Sequence, residues 1–181
     1  MYFNDSFIDD FLVAGAFGPG NFGGDGDTVS STEVERDLSY MAGLAGDYFV
    51  SDNFKLSAGI YHDVTGVHHG YSIGYGAQYT WQQEPWFFAL GVGGEFSDSD
   101  LNQYYYGLRA EDGTAFDRFD VGSNSNVITN FAFAYRINKH LSFIGRYQYK
   151  WLGSAMTVSP LVEDESTSFF FIGISAQYGS N

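Results

Sequence analysis

Three histidines crowd the stretch "YHDVTGVHHGYS", at positions 62, 68 and 69, and a serine follows the last of them at position 72. Histidine is the side chain whose ordinary pKa suits it to base, proton-shuttle or metal-ligand work near neutrality. His62, His68 and His69 therefore raise two chemistries, a metal site and a nucleophile–base pair of Ser72 with His69. Along a strand, positions an odd number apart point to opposite faces, so Ser72 and His69 are out of phase for a hydrogen bond. His62 falls on the outward parity of its segment, and His68 and His69 are adjacent in a connection. The sequence predicts interfacial or loop histidines.

The carboxylates are the second candidates. Asp25, Asp27, Glu33, Glu35 and Asp37 fall in 18–37, Glu111, Asp112, Asp117 and Asp120 in 109–123, and Glu163, Asp164 and Glu165 in 153–166. Acid–base catalysis needs two carboxyl groups held in a shaped pocket, whereas stretches this polar read as solvated loops. "NFGGDGDTV" at 21–29 has the Gly23-Gly24-x-Gly26 spacing of a calcium-binding nonapeptide repeat, but it occurs once and has Thr28 where an aspartate is required. It reads as a flexible acidic loop. There is no cysteine for a thiolate site. The expectation is a protein with no catalytic residue, no cofactor and no metal centre, and hence not an enzyme.

Eight Lys and Arg stand against 22 Asp and Glu, a formal charge of −14 that would repel phosphate backbones and argues against nucleic acid as a partner. The 181 residues suffice for one domain, 1–181, with no compositional break. No apolar run is long enough for a transmembrane helix, which says nothing against a membrane β-barrel. Aromatic residues make up 19% of the chain beside 23 Gly and 3 Pro, a β-rich composition.

The elements that must position these groups show period two. In "HGYSIGYGAQYTW" the odd positions Tyr71, Ile73, Tyr75, Ala77, Tyr79 and Trp81 are apolar, and Ser72, Gly74, Gly76, Gln78 and Thr80 alternate with them. The same holds for "PWFFALGVGGEF" (85–96), "LSYMAGLAGDYF" (38–49), "FKLSAGIYHDV" (54–64), "NVITNFAFAYRI" (126–137), "HLSFIGRYQYKWL" (140–152) and the stretch from Phe170 to Tyr178, with a rougher first segment "FIDDFLVAGAF" (7–17). The count is about eight strands and no convincing helix. Lys55, Asp63, Glu95, Arg146 and Lys150, with Asp47, share the polar faces with glycines and serines. Small residues with a few charges suit an enclosed interior better than a face turned to bulk water. The predicted fold is all-β, an antiparallel up-and-down transmembrane β-barrel of about eight strands in this chain, standing alone or as part of a larger barrel. Those five charges are expected to line or pair within its lumen, which eight strands leave only wide enough for side chains.

Short connections at 50–53, 81–86 and 136–140 alternate with long ones at 18–37, 109–123 and 153–166, the exception being the short "VTGVHHG" at 64–70. Tight periplasmic turns and larger outer loops have this pattern, and they would put both chain ends in the periplasm. "YYYG", Tyr104, Tyr105, Tyr106 and Gly107, reads as the root of an outer loop. The reading continues the strand from Trp86 through a bulge near 98–100. It turns Tyr104 and Tyr106 outward and Tyr105 inward over the mouth, with Gly107 letting the chain bend.

Tyr104-Tyr105-Tyr106-Gly107, "AYR" at 134–136, "LSF" at 141–143, "SPLV" at 159–162 with its acidic follow-up, and "LSA" at 56–58 before "HDVTG" at 62–66 together resemble the MltA-interacting protein (MipA/OmpV) family of Gram-negative outer membranes. The likeness covers most of 40–178. It implies an outer-membrane barrel whose namesake is a scaffold between a murein-degrading transglycosylase and a murein-synthesising enzyme, and it carries over no catalytic residue. Family members are usually longer, with strands ahead of the region where this chain starts. Expected partners are outer-membrane lipid and lipopolysaccharide, through divalent cations on the acidic loops, and periplasmic murein enzymes. The alternatives are a small-solute channel of the porin kind and a surface adhesin.

Overall fold

The computed structural model describes residues 37–108 and 118–176. The expected first strand at 7–17, the glycine-rich loop at 21–29, most of the acidic residues of 18–37 and 109–117, and Tyr178 lie outside the described residues.

Seven strands form one antiparallel sheet in simple sequence order: β1 (Met41–Ser51), β2 (Phe54–Asp63), β3 (Tyr71–Gln83), β4 (Trp86–Ser97), β5 (Asn124–Arg136), β6 (Leu141–Trp151) and β7 (Ser166–Ala176). At 10 to 13 residues each, they have the length a tilted strand needs to cross a bilayer. Among the described residues β1 and β7 each pair on one side only, so the sheet is an open section of barrel wall.

Alternation fixes what each face of this wall presents. The outer face exposes its apolar side chains, Leu44 at 81% and Ile174 at 70%, while Lys55, Glu95 and Arg146 on the inner face are 5–6% exposed. This inverts a water-soluble protein, and it is the arrangement a hydrocarbon solvent selects. Aromatic residues gather toward both ends of the outer face, where one end of such a ring is apolar and the other wet. Trp86 packs on Tyr135 (4.6 Å between ring centres) and Trp81 on Phe88 (5.5 Å) at one end, and Tyr149 on Trp151 (4.5 Å) at the other.

The two ends of the wall differ. At one, the turn end, residues 52–53, 84–85 and 137–140 join β1 to β2, β3 to β4 and β5 to β6. At the other, the mouth end, two short helices interrupt the connections, α1 (Ser99–Tyr106) between β4 and β5 and α2 (Ser154–Thr157) between β6 and β7. A small apolar cluster of Phe87, Ala89, Ala132 and Ala134, with Ile144, fills the inner face toward the turn end.

The structure corrects the expectation of a strand running on through 98–106. β4 ends at Ser97, and the tyrosines lie on α1. Asp98 is its N-cap, its carboxylate accepting the Leu101 N–H at 3.1 Å, and Asp100 sits in the first turn where the helix dipole favours an anion. Helical spacing, not alternation, sorts the side chains: Leu101, Tyr104 and Leu108 are buried, and Tyr105 and Tyr106 half-buried. Tyr104 and Tyr106 therefore do not point outward together from one strand face with Tyr105 turned inward between them. An eight-residue helix rich in tyrosine is too short to hold by itself, so packing decides its state.

Candidate functional site

The chemistry-bearing side chains of the mouth end converge on Asp63, the last residue of β2. Its Oδ1 accepts the Thr65 N–H at 2.8 Å and the Thr65 hydroxyl at 2.5 Å. Its Oδ2 accepts the His68 and His69 N–H groups at 2.8 and 3.0 Å. Four donors on one buried carboxylate organise the whole 64–70 connection, and they hold two residues in the left-handed region, Gly66 at φ 73° and His69 at φ 58°.

That turn drives the His68 ring inward. Its side chain is fully buried, Nδ1 accepts the Gly70 N–H at 2.9 Å, and the ring proton therefore sits on Nε2. Tyr104 and Tyr105 pack against it with ring centres 5.8 and 5.6 Å away. Burial pushes the His68 imidazole below its ordinary pKa, with Asp63 and Asp98 pulling the other way. His69 is exposed, Ser72 is buried on the inner face, and the ring that turns inward is His68, so the two residues expected to be out of phase stay apart.

Helix α1 is the keystone above this turn. Asp98 Oδ1 also accepts the Tyr71 N–H at 3.1 Å, tying the helix start to the start of β3. A Cβ at Gly70 would come within 2.5 Å of the Leu101 nitrogen, so the approach requires glycine. Asn102, wholly buried, donates to the Ser97 and Gly122 carbonyls and accepts from the Ser97 hydroxyl. The Tyr104 hydroxyl accepts the Asp37 N–H at 2.6 Å, and the Tyr105 hydroxyl lies 2.6 Å from Ser39 Oγ, so two of the three tyrosines hold the segment leading into β1. Ser159 of the β6–β7 connection donates to the Tyr106 carbonyl at 2.5 Å. At Gly107 a Cβ would meet the Gln103 side chain at 2.3 Å, and close approach, rather than a bend, is what glycine serves there.

The five expected lumen charges all lie on the inner face, but they do not form one cluster. Lys150 Nζ and Glu95 Oε2 make an ion pair at 2.6 Å, spanning β5. Lys55 reaches Asp47 on β1 at 3.2 Å. Arg146 donates to Asn130 and Gln148 at 3.2 and 3.0 Å, and Asp63 belongs to the mouth. Tyr106 lies near Lys150 and Glu95, and burial pushes its hydroxyl above the ordinary tyrosine value. Between these groups a cavity of about 30 Å³, floored by Gly76, Gly91 and Gly93, has room for little more than water. Among the described residues, no group of three or more His, Asp and Glu side chains is placed to hold a metal ion.

Sequence reasoning missed Asp98, Asn102 and Ser159. A helical signal was present for the first: an Asp cap, a second acid two places on, and Leu101, Tyr104 and Leu108 at three- and four-residue spacing.

The wall is thus an open antiparallel sheet with an apolar outer face and, at its mouth end, α1 seated on the 64–70 turn. Residues 7–178 match the family described as MltA-interacting protein MipA. The chain belongs to the MltA-interacting protein MipA family. A curated relative, outer membrane protein Omp26La of Vibrio anguillarum, is 28% identical over 144 residues, covering 78% of this chain and 53% of the relative. The chain thus spans about half the length of that relative. No solved structure matches it. As a member of the MipA family the chain is an outer-membrane β-barrel protein.

Proposed function

We propose that this protein is a non-enzymatic outer-membrane barrel that acts as a scaffold for murein-degrading and murein-synthesising enzymes. The observation that carries the reading is the match of residues 7–178 to a family named for interaction with MltA. The geometry supports it. Among the described residues the inner face carries paired charges, glycines and a small apolar cluster. With the turn end on the periplasmic side, the rim exposes Glu84, Asn138, Lys139 and His140 on tight turns as contacts for a soluble partner. On the outer side, the exposed Glu163, Asp164 and Glu165 turn a negative patch toward the surface, which attracts divalent counter-ions shared with lipopolysaccharide phosphates without forming a built metal site.

The test is retention of a purified MltA-type transglycosylase by the immobilised, detergent-folded protein. Salt-sensitive retention that weakens when Lys139 and Glu84 are neutralised supports a scaffold using this rim. No retention by the folded protein overturns it, and steady single-channel conductance in planar bilayers would favour the porin reading instead.

A further inference from the structure

His68 is a titratable group held where a second proton has no place. Its Nδ1 is occupied as an acceptor by the Gly70 N–H, and its buried Nε2–H has no hydrogen-bond partner. Its ring is the surface on which Tyr104 and Tyr105 rest, and those tyrosines hold Asp37 and Ser39 ahead of β1. The 64–70 turn and α1 therefore meet on one imidazole, and the segment ahead of β1 is tied to it through the tyrosine hydroxyls.

We infer that His68 is the trigger of an acid-released latch that holds α1 and the segment leading into β1 against the 64–70 turn at the mouth end. The step is a proton taken from solvent onto Nδ1. The imidazolium then has hydrogens on both nitrogens, and the Gly70 N–H loses its acceptor. The nearest carboxylate to the new donor is Asp63, whose Oδ2 lies 4.0 Å from Nδ1 and already serves the His68 and His69 N–H groups. The imidazolium competes for that oxygen, the His69 residue held at positive φ is released, and the stack under Tyr104 and Tyr105 is lost.

The groups facing His68 set where this happens. Asp63 at the end of β2 and Asp98 at the cap of α1 favour the charged ring, while His62 on β2 and His69 in the same turn oppose it. From α1 the ring meets Tyr104 and Tyr105, and through the Tyr104 hydroxyl the backbone of Asp37. Burial is the largest influence, so release falls on the acid side of the ordinary imidazole range. The latch does not depend on which partner the barrel binds.

Hydrogen exchange of the folded protein in nanodiscs, corrected for the intrinsic pH dependence of exchange, reads it directly. Between about pH 7.5 and about pH 5, protection at Gly70 and across Leu101–Tyr106 is expected to fall by about tenfold, while the β4–β5 ladder stays protected. His68→Asn is expected to flatten the profile, and His62→Gln and His69→Gln to keep the step, displaced only toward higher pH because each opposes the charged ring. Should His68→Asn not fold, ring titration of labelled histidines by NMR in the unaltered protein decides the matter. A midpoint of His68 coinciding with the exchange step supports the latch. Exchange that is flat across the range, or that follows His62 or His69, overturns it.

Discussion

The turn end and the mouth end of the same wall are built by different physics. At the turn end the chain reverses within a few residues, and its bonds are local or exposed: Asn138 accepts from the His140 and Leu141 N–H groups at 2.8 and 3.0 Å, and Asn53 exchanges bonds with Thr80. At the mouth end buried and half-buried side chains reach far along the sequence, Ser159 to Tyr106, Tyr104 to Asp37 and Lys150 to Glu95. Local turns set register and leave little to rearrange. A cap made of long-range side-chain bonds can be opened without disturbing the strands beneath it.

The contrast can be broken in order of expected effect. Glu95→Ala leaves the half-buried Lys150 beside no counter-ion and should cost about 3 kcal/mol, while the joint change Glu95→Leu with Lys150→Met should recover most of that loss. Urea unfolding in detergent micelles measures both. Asp63→Ala strips four donors of their acceptor and should cost about 2–3 kcal/mol. Its signature is lost exchange protection in 64–70 with the β3–β4 ladder intact.

The pH dependence of stability comes next. His68 has a folded pKa below its unfolded value, so its contribution is complete above the ordinary imidazole range and is lost as pH falls toward the lowered value. Unfolding measured at several pH values should show this slope, and His68→Asn should remove it. Tyr105→Phe deletes one hydrogen bond to Ser39 and should cost about 0.5–1.5 kcal/mol, read in the same unfolding experiment. At the turn end, Asn53→Ala at an exposed site should stay within about 0.5 kcal/mol. A loss there as large as that of Asp63→Ala would mean the two ends do not differ as described.

Particular residues show where the sequence was legible. Tyr71 to Trp81 alternate with Ser72 to Thr80, and the sheet puts them on the outer and inner faces that alternation requires. Lys55, Glu95, Arg146 and Lys150 likewise fall on the inner parity. Alternation is a local property, because each strand residue turns its side chain opposite to the last. "DSDLNQYYYG" was misread for the opposite reason. Tyrosine favours strands, and the Asp98 cap alone is a weak local signal against three of them. What tips the stretch into a helix is Leu101 against Gly70, Asn102 against Gly122, and Tyr104 against His68, all contacts between segments distant in the chain.

The sequence by itself determined the strands, their apolar and polar faces, and the kinship to an outer-membrane family, because period two and composition are written residue by residue. Only the tertiary structure decided which charges pair, that Asp63 serves the mouth rather than the lumen, and that His68 is the buried ring of the three histidines. Those outcomes depend on which side chains meet across the folded sheet, and no local pattern encodes such meetings.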